Sequence, residues 1–164
     1  MFNIGDKIVY PVQGVGVIDL IEEKEFNGEM QTYYKINIVS NSLRLLLPSS
    51  RLKASNIRLI SDPDTLDNVL NDIPSITDTQ DDLCNSSCKE RISVNNDKIK
   101  SGTLIDYIQV ISTLSTIKKQ HTLNASESQM LKSTRKVLID EISLTKNVTN
   151  IEAQDILDSS LNLA

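Results

Sequence analysis

Two periods divide this chain. Up to Ile60 apolar and polar residues largely alternate, the repeat of a half-buried strand; from Leu66 onward apolar residues recur every three to four positions, the repeat of an amphipathic helix. The opening stretch, Phe2 to Ile18, sets the first pattern. Gly5-Asp6 forms a turn, and Ile8-Val9-Tyr10 is a β-rich run ended by Pro11, which cannot donate to a ladder. Gly14 and Gly16 punctuate a second run, Val15 to Ile21, and predict positive φ or close backbone approach. Asn27-Gly28 is a hairpin signal joining Val17–Lys24 to Gln31–Val39, where Tyr34, Ile36 and Ile38 share one face. Asn41-Ser42 turns the chain into Leu43–Leu47, with Leu43, Leu45 and Leu47 inward and Arg44 and Leu46 outward. After Pro48 a short turn leads to Ile57–Ile60. Five short strands predict a small SH3- or Tudor-like β-barrel over residues 1–60.

Ser61-Asp62-Pro63 marks a boundary, and residues 61–82 read as an acidic linker with one short helix. Asp64 is the expected cap of that helix, which runs through Leu66, Val69, Leu70 and Ile73 and closes at Pro74. A second helix is predicted from the acidic stretch Thr77–Asp82 to about Lys100, with few apolar residues. Ser101-Gly102-Thr103 breaks it. The third helix, Leu104 to about Lys119, carries an apolar stripe at 104, 107, 108, 111, 114 and 117. Asn124-x-x-Glu127 has the form of a capping box for a fourth helix reaching about Leu144. Its buried side is predicted to hold Met130, Leu131, Val137, Leu138 and Ile142, with Glu141 at the rim. Lys132, Arg135 and Lys136 fall on another face. A last helix, about Val148 to Leu161, is expected to bury Ile151, Leu157 and Leu161. The fold class is therefore α+β in two domains, the second an all-α bundle over 83–164.

Composition narrows the function. The 164 residues are 39% hydrophobic and 24% charged, enough for a packed core. No apolar run approaches the roughly 18 residues of a membrane helix, and no basic n-region or cleavage site suggests a signal peptide. Cys84 and Cys88 suit a reduced, cytoplasmic protein. The net charge of −5 argues against a nucleic-acid binder until its distribution is considered. Residues 62–82 carry seven acids and no base, whereas residues 84–146 carry ten bases against six acids.

No phosphate-binding glycine loop, nucleophile elbow or zinc-protease motif occurs. With the single histidine, His121, lacking an evident partner, and C-x-x-x-C not being zinc spacing, no catalytic residue, metal or cofactor is expected. Two semi-buried thiols is the simplest reading of Cys84 and Cys88. What remains are two interaction surfaces: Lys24, Phe26, Arg44 and Leu46 on the sheet, and the bases of the helical half, a solvated surface or a phosphate track.

The string Gly5-Asp6-Lys7-Ile8-Val9-Tyr10-Pro11-Val12-Gln13-Gly14-Val15-Gly16-Val17 resembles the start of the CarD/CdnL/TRCF family of bacterial RNA polymerase-binding domains. A second string, Leu123-Asn124-Ala125-Ser126-Glu127 with Met130, Leu131, Arg135, Val137, Leu138, Glu141 and Ile142, is similar to the CarD/CdnL helical signature. The resemblance implies a Tudor-like domain that docks on the β1 lobe of the polymerase β subunit. It also implies a helical domain that meets promoter DNA at the upstream edge of the −10 region and stabilises the open complex, without catalysis. Lys24, Phe26 and Leu46 then fall on the polymerase-contact positions, with Arg44 beside them. The DNA side is assigned to Cys88, Lys89, Arg91, Lys132, Arg135 and Lys136. Cys88 aligns with the family's wedge tryptophan, and this chain has no Trp, so DNA contact here is electrostatic, weaker, or made by other residues. A cytoplasmic monomer is expected, with no membrane partner. The alternative is a polymerase-bound adaptor that acts through protein contacts.

Overall fold

The computed structural model describes residues 1–77 and 81–162. The chain forms two compact units, Met1–Ile60 and Ser61–Ala164. No helix among the described residues is long and apolar enough to cross a membrane.

The first unit is one antiparallel sheet. Its strands are β1 (Lys7–Tyr10), β2 (Gly14–Phe26), β3 (Glu29–Ile38), β4 (Arg44–Pro48) and β5 (Arg58–Leu59), in the order β4-β3-β2-β1-β5. β4 and β5 lie at opposite edges and do not pair, so the sheet is not closed into the small SH3- or Tudor-like barrel that the sequence predicted. β5 is too short to bridge that gap: both its residues are spent on β1. Asn27 (φ 52°) and Gly28 (φ 81°) are both left-handed, the geometry of a type I′ hairpin, as their dipeptide signalled. Ile8, Ile18, Tyr34, Ile36, Ile38 and Leu47 form the core, with the Phe2 ring edge-on to Tyr34 at 6.5 Å. Leu43, expected inward, is exposed. It precedes β4 in a turn where the Asn41 side chain accepts its N–H.

Two glycines do what the sequence asked of them. Gly14 has φ 121° at the start of β2. Gly16 allows close approach: a Cβ there would lie 2.8 Å from Ile36 Cγ2 and 3.1 Å from the Asn37 carbonyl oxygen.

The second unit is helical. α1 (Pro63–Asn71), α2 (Ile73–Thr77), α3 (Asp81–Asn85) and α4 (Cys88–Ser101) precede the longer α5 (Leu104–Gln120), α6 (Ala125–Lys146) and α7 (Asn150–Ser160). All six apolar stripe positions of α5 are buried. Asp62, rather than Asp64, caps α1, because Pro63 takes the first helical position and leaves Asp62 Oδ1 to accept the Thr65 N–H. Pro74 lies inside α2 instead of closing α1.

The single helix predicted from Thr77 to Lys100 is divided at Ser86-Ser87. The Ser87 hydroxyl accepts the Glu90 N–H and starts α4 anew, and residues 78–80 of the expected helix start lie outside the described residues. Gly102, left-handed at φ 73°, ends α4. Ile151, expected inside, is exposed. A capping box between Thr149 and Glu152 starts α7 so that Ala153 and Leu157 face inward. Glu141, expected at a rim, is fully buried: its Oε1 accepts both the N–H (2.9 Å) and the hydroxyl (3.0 Å) of Ser61. Thr145 donates to the Ser61 carbonyl at 2.9 Å, so the first residue of this unit is held on both sides by α6.

The contact at Gly16 gives a direct test. Gly16→Ala is expected to lower the free energy of unfolding by about 1–3 kcal/mol, because a backbone carbonyl cannot step aside as a flexible side chain can. Urea denaturation measures it.

Candidate functional site

The first candidate surface depends on a β-bulge. Before it, Gly16 and Ile18 of β2 pair with Ile38 and Ile36 and face the core; the register then shifts between Ile18 and Leu20. The extra residue inverts the alternation. Ile21 therefore pairs with buried Tyr34, and Leu20, Glu22, Lys24 and Phe26 turn to the opposite face. On that face Lys35 stands between Leu20 of β2 and Leu46 of β4. Arg44 pairs with Asn37 on the same side.

The structure thus puts Lys24, Phe26, Arg44 and Leu46 on one sheet face, in two pairs. Lys24 and Phe26 lie opposite Gln31 and Glu29, near the hairpin tip. Leu46 and Arg44 lie opposite Lys35 and Asn37, with the two pairs centred about 20 Å apart along β3. Phe26 is 55% exposed and Leu46 47%, beside three cations. Lys24 Nζ is 2.8 Å from Glu22 Oε1 at the surface, and this hydrogen bond holds the Glu22 carboxyl below its ordinary range. An exposed pair of this kind is weak and leaves Lys24 free to exchange partners. β4 pairs with β3 only, so its other side is a sheet edge.

The second candidate surface lies on the helical unit, and the structure sorts its predicted residues. Arg91 is inside. Its Nε and Nη2 donate to Glu127 Oε1 and Oε2 at 2.7 and 3.2 Å, and its Nη1 donates to the Ser86 carbonyl at 2.8 Å. Arg91 is 6% and Glu127 2% exposed. The guanidinium is held charged above arginine's ordinary value, first by the hydrogen bonds it donates to Glu127, against the cost of burial. Cys88 is half-buried, and its Sγ accepts from Asn124 Nδ2. Lys89, Lys132 and Lys136 are exposed. Arg135 is half-buried and bound to Asp158 Oδ1 at 2.7 Å, which offsets part of its charge.

The helices gather two further bases of the expected basic block, outside the six residues assigned to DNA. Lys118 and Lys119, in the last turn of α5, line a cleft of about 470 Å³ with Ser115, Leu131, Arg135 and Asp158. A neighbouring cleft of about 360 Å³ shares both lysines and reaches His121, Leu123 and Ser128. The Asn124–Cys88 contact ties the start of α4 to the loop that rims this second cleft. Lys118-Lys119 was visible as the end of an amphipathic stripe. What the sequence withheld was that α5 packs along α6, which brings the pair to Arg135. Glu127 was visible only as a capping residue. Asn124 does cap α6 through the Glu127 N–H (2.8 Å), but the Glu127 carboxylate turns to Arg91 instead of completing the box.

His121 is exposed, with Nδ1 3.3 Å from the Thr122 carbonyl oxygen. No group of three or more His, Cys, Asp or Glu among the described residues is placed to hold a metal. The arrangement as a whole can bind: an apolar patch ringed by cations on one unit, and cationic clefts on the other.

Two family models match the chain in order. The CarD-like/TRCF RID domain matches residues 2–61, and the CarD C-terminal domain matches residues 75–158. The Bacillus subtilis (strain 168) protein named "Putative transcription factor YdeB" is 38% identical over 149 residues, covering 91% of this chain and 95% of its own length.

The Arg91–Glu127 pair yields a stability prediction. Glu127→Ala leaves a guanidinium buried without its carboxylate and is expected to cost about 3–5 kcal/mol. Lys136→Ala, at an exposed position on the same helix, is expected to change stability by less than about 0.5 kcal/mol. Parallel urea unfolding of the two variants makes the comparison.

Proposed function

The chain belongs to the CarD family of transcription regulators, and we propose that it acts as a bridge between RNA polymerase and promoter DNA. The outer sheet face, with Phe26 and Leu46 as apolar anchors and Lys24 and Arg44 as flanking cations, binds the β1 lobe of the polymerase β subunit. The helical unit contacts promoter DNA at the upstream edge of the −10 region through phosphates, using Lys89, Lys132, Lys136 and the cleft of Lys118, Lys119 and Arg135. Arg91 serves this face from inside, by fixing α4 against α6. The protein works where transcription takes place, in the cytoplasm.

The observation that carries this reading is the bulge of β2, which gathers two half-exposed apolar side chains and their cations on a face that folding leaves uncovered. Such a patch suits a protein partner. The DNA arm follows from simple electrostatics. Each phosphate neutralised by a lysine or arginine releases counterions, so affinity falls steeply with salt. With −5 net charge and no Trp, the free protein should hold DNA weakly. Docking on polymerase supplies the high local concentration that makes a weak contact sufficient. If this contact is stronger on the opened promoter than on the closed one, binding shifts the equilibrium towards opening by that difference.

One observation favours a second reading, the polymerase-bound adaptor. Arg91 is inside and Arg135 is engaged by Asp158, so two of the predicted DNA contacts are already partnered. Binding of forked promoter DNA across a salt series separates the two. The bridge predicts affinity that falls with salt and is lost in Lys118→Glu/Lys132→Glu; the adaptor predicts no measurable fork binding at any salt. For the protein arm, Phe26→Ala/Leu46→Glu is expected to weaken binding to the isolated β1 lobe about tenfold or more. Unchanged affinity in titration calorimetry would remove the sheet face from the mechanism.

A further inference from the structure

Cys84 and Cys88 have no part in the mechanism above, yet they flank the link that the Arg91 guanidinium reaches. Neither is in a disulfide, and both are half-buried. Cys84 is in α3, Cys88 is the first residue of α4, and between them lies the irregular Ser86-Ser87 link rather than continuous helix. The Arg91 guanidinium reaches back to this link through the Ser86 carbonyl. Arg91 therefore holds the two-residue link that joins the helix of Cys84 to the helix of Cys88. Cys88 Sγ also accepts from the amide of Asn124, the residue that caps α6, and Glu127 closes the ring back to Arg91.

We propose that Cys84 and Cys88 are a reversible thiol-oxidation site, closing to a disulfide across the α3–α4 link and thereby loosening the cap of α6. Three residues separate the two, so the loop to be closed is short and its closure entropy small. The link is not helical, so it can adjust to the geometry a disulfide demands. The oxidant is a low-molecular-weight disulfide. One protein thiolate attacks it, the small S–S bond breaks, a mixed disulfide forms and one small thiolate leaves. The second cysteine attacks the protein-bound sulphur of that mixed disulfide, forming the Cys84–Cys88 bond and expelling the second small thiol. The two protons lost by the cysteines end on the two released thiols, and the two electrons lost by the cysteines reduce the oxidant. In the closed form Cys88 Sγ is drawn towards Cys84 and away from Asn124. The cap of α6 then loses the contact that orients its amide, and the Arg91–Glu127 pair loses a neighbour that holds it in place.

The test uses the full chain with oxidised glutathione, followed by mass measurement and hydrogen exchange. Wild type is expected to lose two hydrogens in mass, to lose both alkylatable thiols, and to recover them with dithiothreitol. Amide exchange at the start of α6 should rise about fivefold in the oxidised form, the equivalent of one weakened N-cap. Cys84→Ser keeps the Cys88–Asn124 contact and should stop at a glutathione adduct, without the intramolecular bond. Three results would overturn the proposal: both thiols remaining alkylatable, oxidation yielding only glutathione adducts or linked dimers in wild type, or a disulfide that leaves α6 exchange unchanged. None of these readouts involves DNA or polymerase.

Discussion

Arg91 and Glu127 meet in the interior of the helical unit, and the placing of α4 against α6 follows from that meeting. Burying two charges is expensive, and such a pair is stable only when its geometry is good and its remaining donors are used. Here the guanidinium fork meets both carboxylate oxygens and a further N–H finds the Ser86 carbonyl, so the cost is largely offset. An apolar pair could fill the same volume. It would not fix direction as a two-pronged hydrogen bond does. From this fixed point the Asn124 cap, the Cys88 contact and the start of α4 all take their positions. The cationic surface of the unit is thus organised by a cation that is not on it.

The sheet solves a different problem with one residue. A strand as long as β2 would ordinarily keep one face inward along its whole length. The bulge after Ile18 ends that: the first half of β2 turns Gly16 and Ile18 to the core, and the second half presents Leu20, Lys24 and Phe26 outside. β4 needs no such device, since simple alternation already puts Arg44 and Leu46 outward and Leu47 inward. The two arms of the proposed bridge therefore rest on different physics. The sheet arm relies on apolar area that folding leaves exposed, and is insensitive to salt in its core. The helical arm relies on charge, and is weak unless tethered.

Much of this was legible in the sequence because it is local. Asn27-Gly28 specified its hairpin, Gly102 its helix end, and the spacing of Leu104, Tyr107, Ile108, Ile111, Leu114 and Ile117 the buried face of α5. Lys24, Phe26, Arg44 and Leu46 were expected together on one outer face of the sheet; the register shift that turns Lys24 and Phe26 to that face is what alternation alone does not reveal. What stayed hidden was non-local or competitive. Glu127 looked like a capping residue because its spacing from Asn124 is right, but a buried arginine 36 residues away is a better partner for a carboxylate than one backbone N–H. Glu141 looked like a rim residue because carboxylates are rarely buried, and only the fold shows Ser61 waiting for it. Ile151 was misplaced because the capping box of α7 decides the helix phase, and that box was not used in setting it. Barrel closure failed for a similar reason, since five strands can be counted in a sequence but their pairing at the edges cannot.

The central claim is that one chain holds polymerase with its sheet and promoter DNA with its helices, and favours the open complex by doing both. The most direct measurement is the lifetime of the open complex formed by the cognate polymerase on one promoter, with and without the protein, after a competitor challenge. The account predicts that wild type lengthens the lifetime and that Lys118→Glu/Lys132→Glu, still bound to polymerase, does not. A lifetime that wild type leaves unchanged, or that the charge-reversed variant lengthens equally, would contradict it.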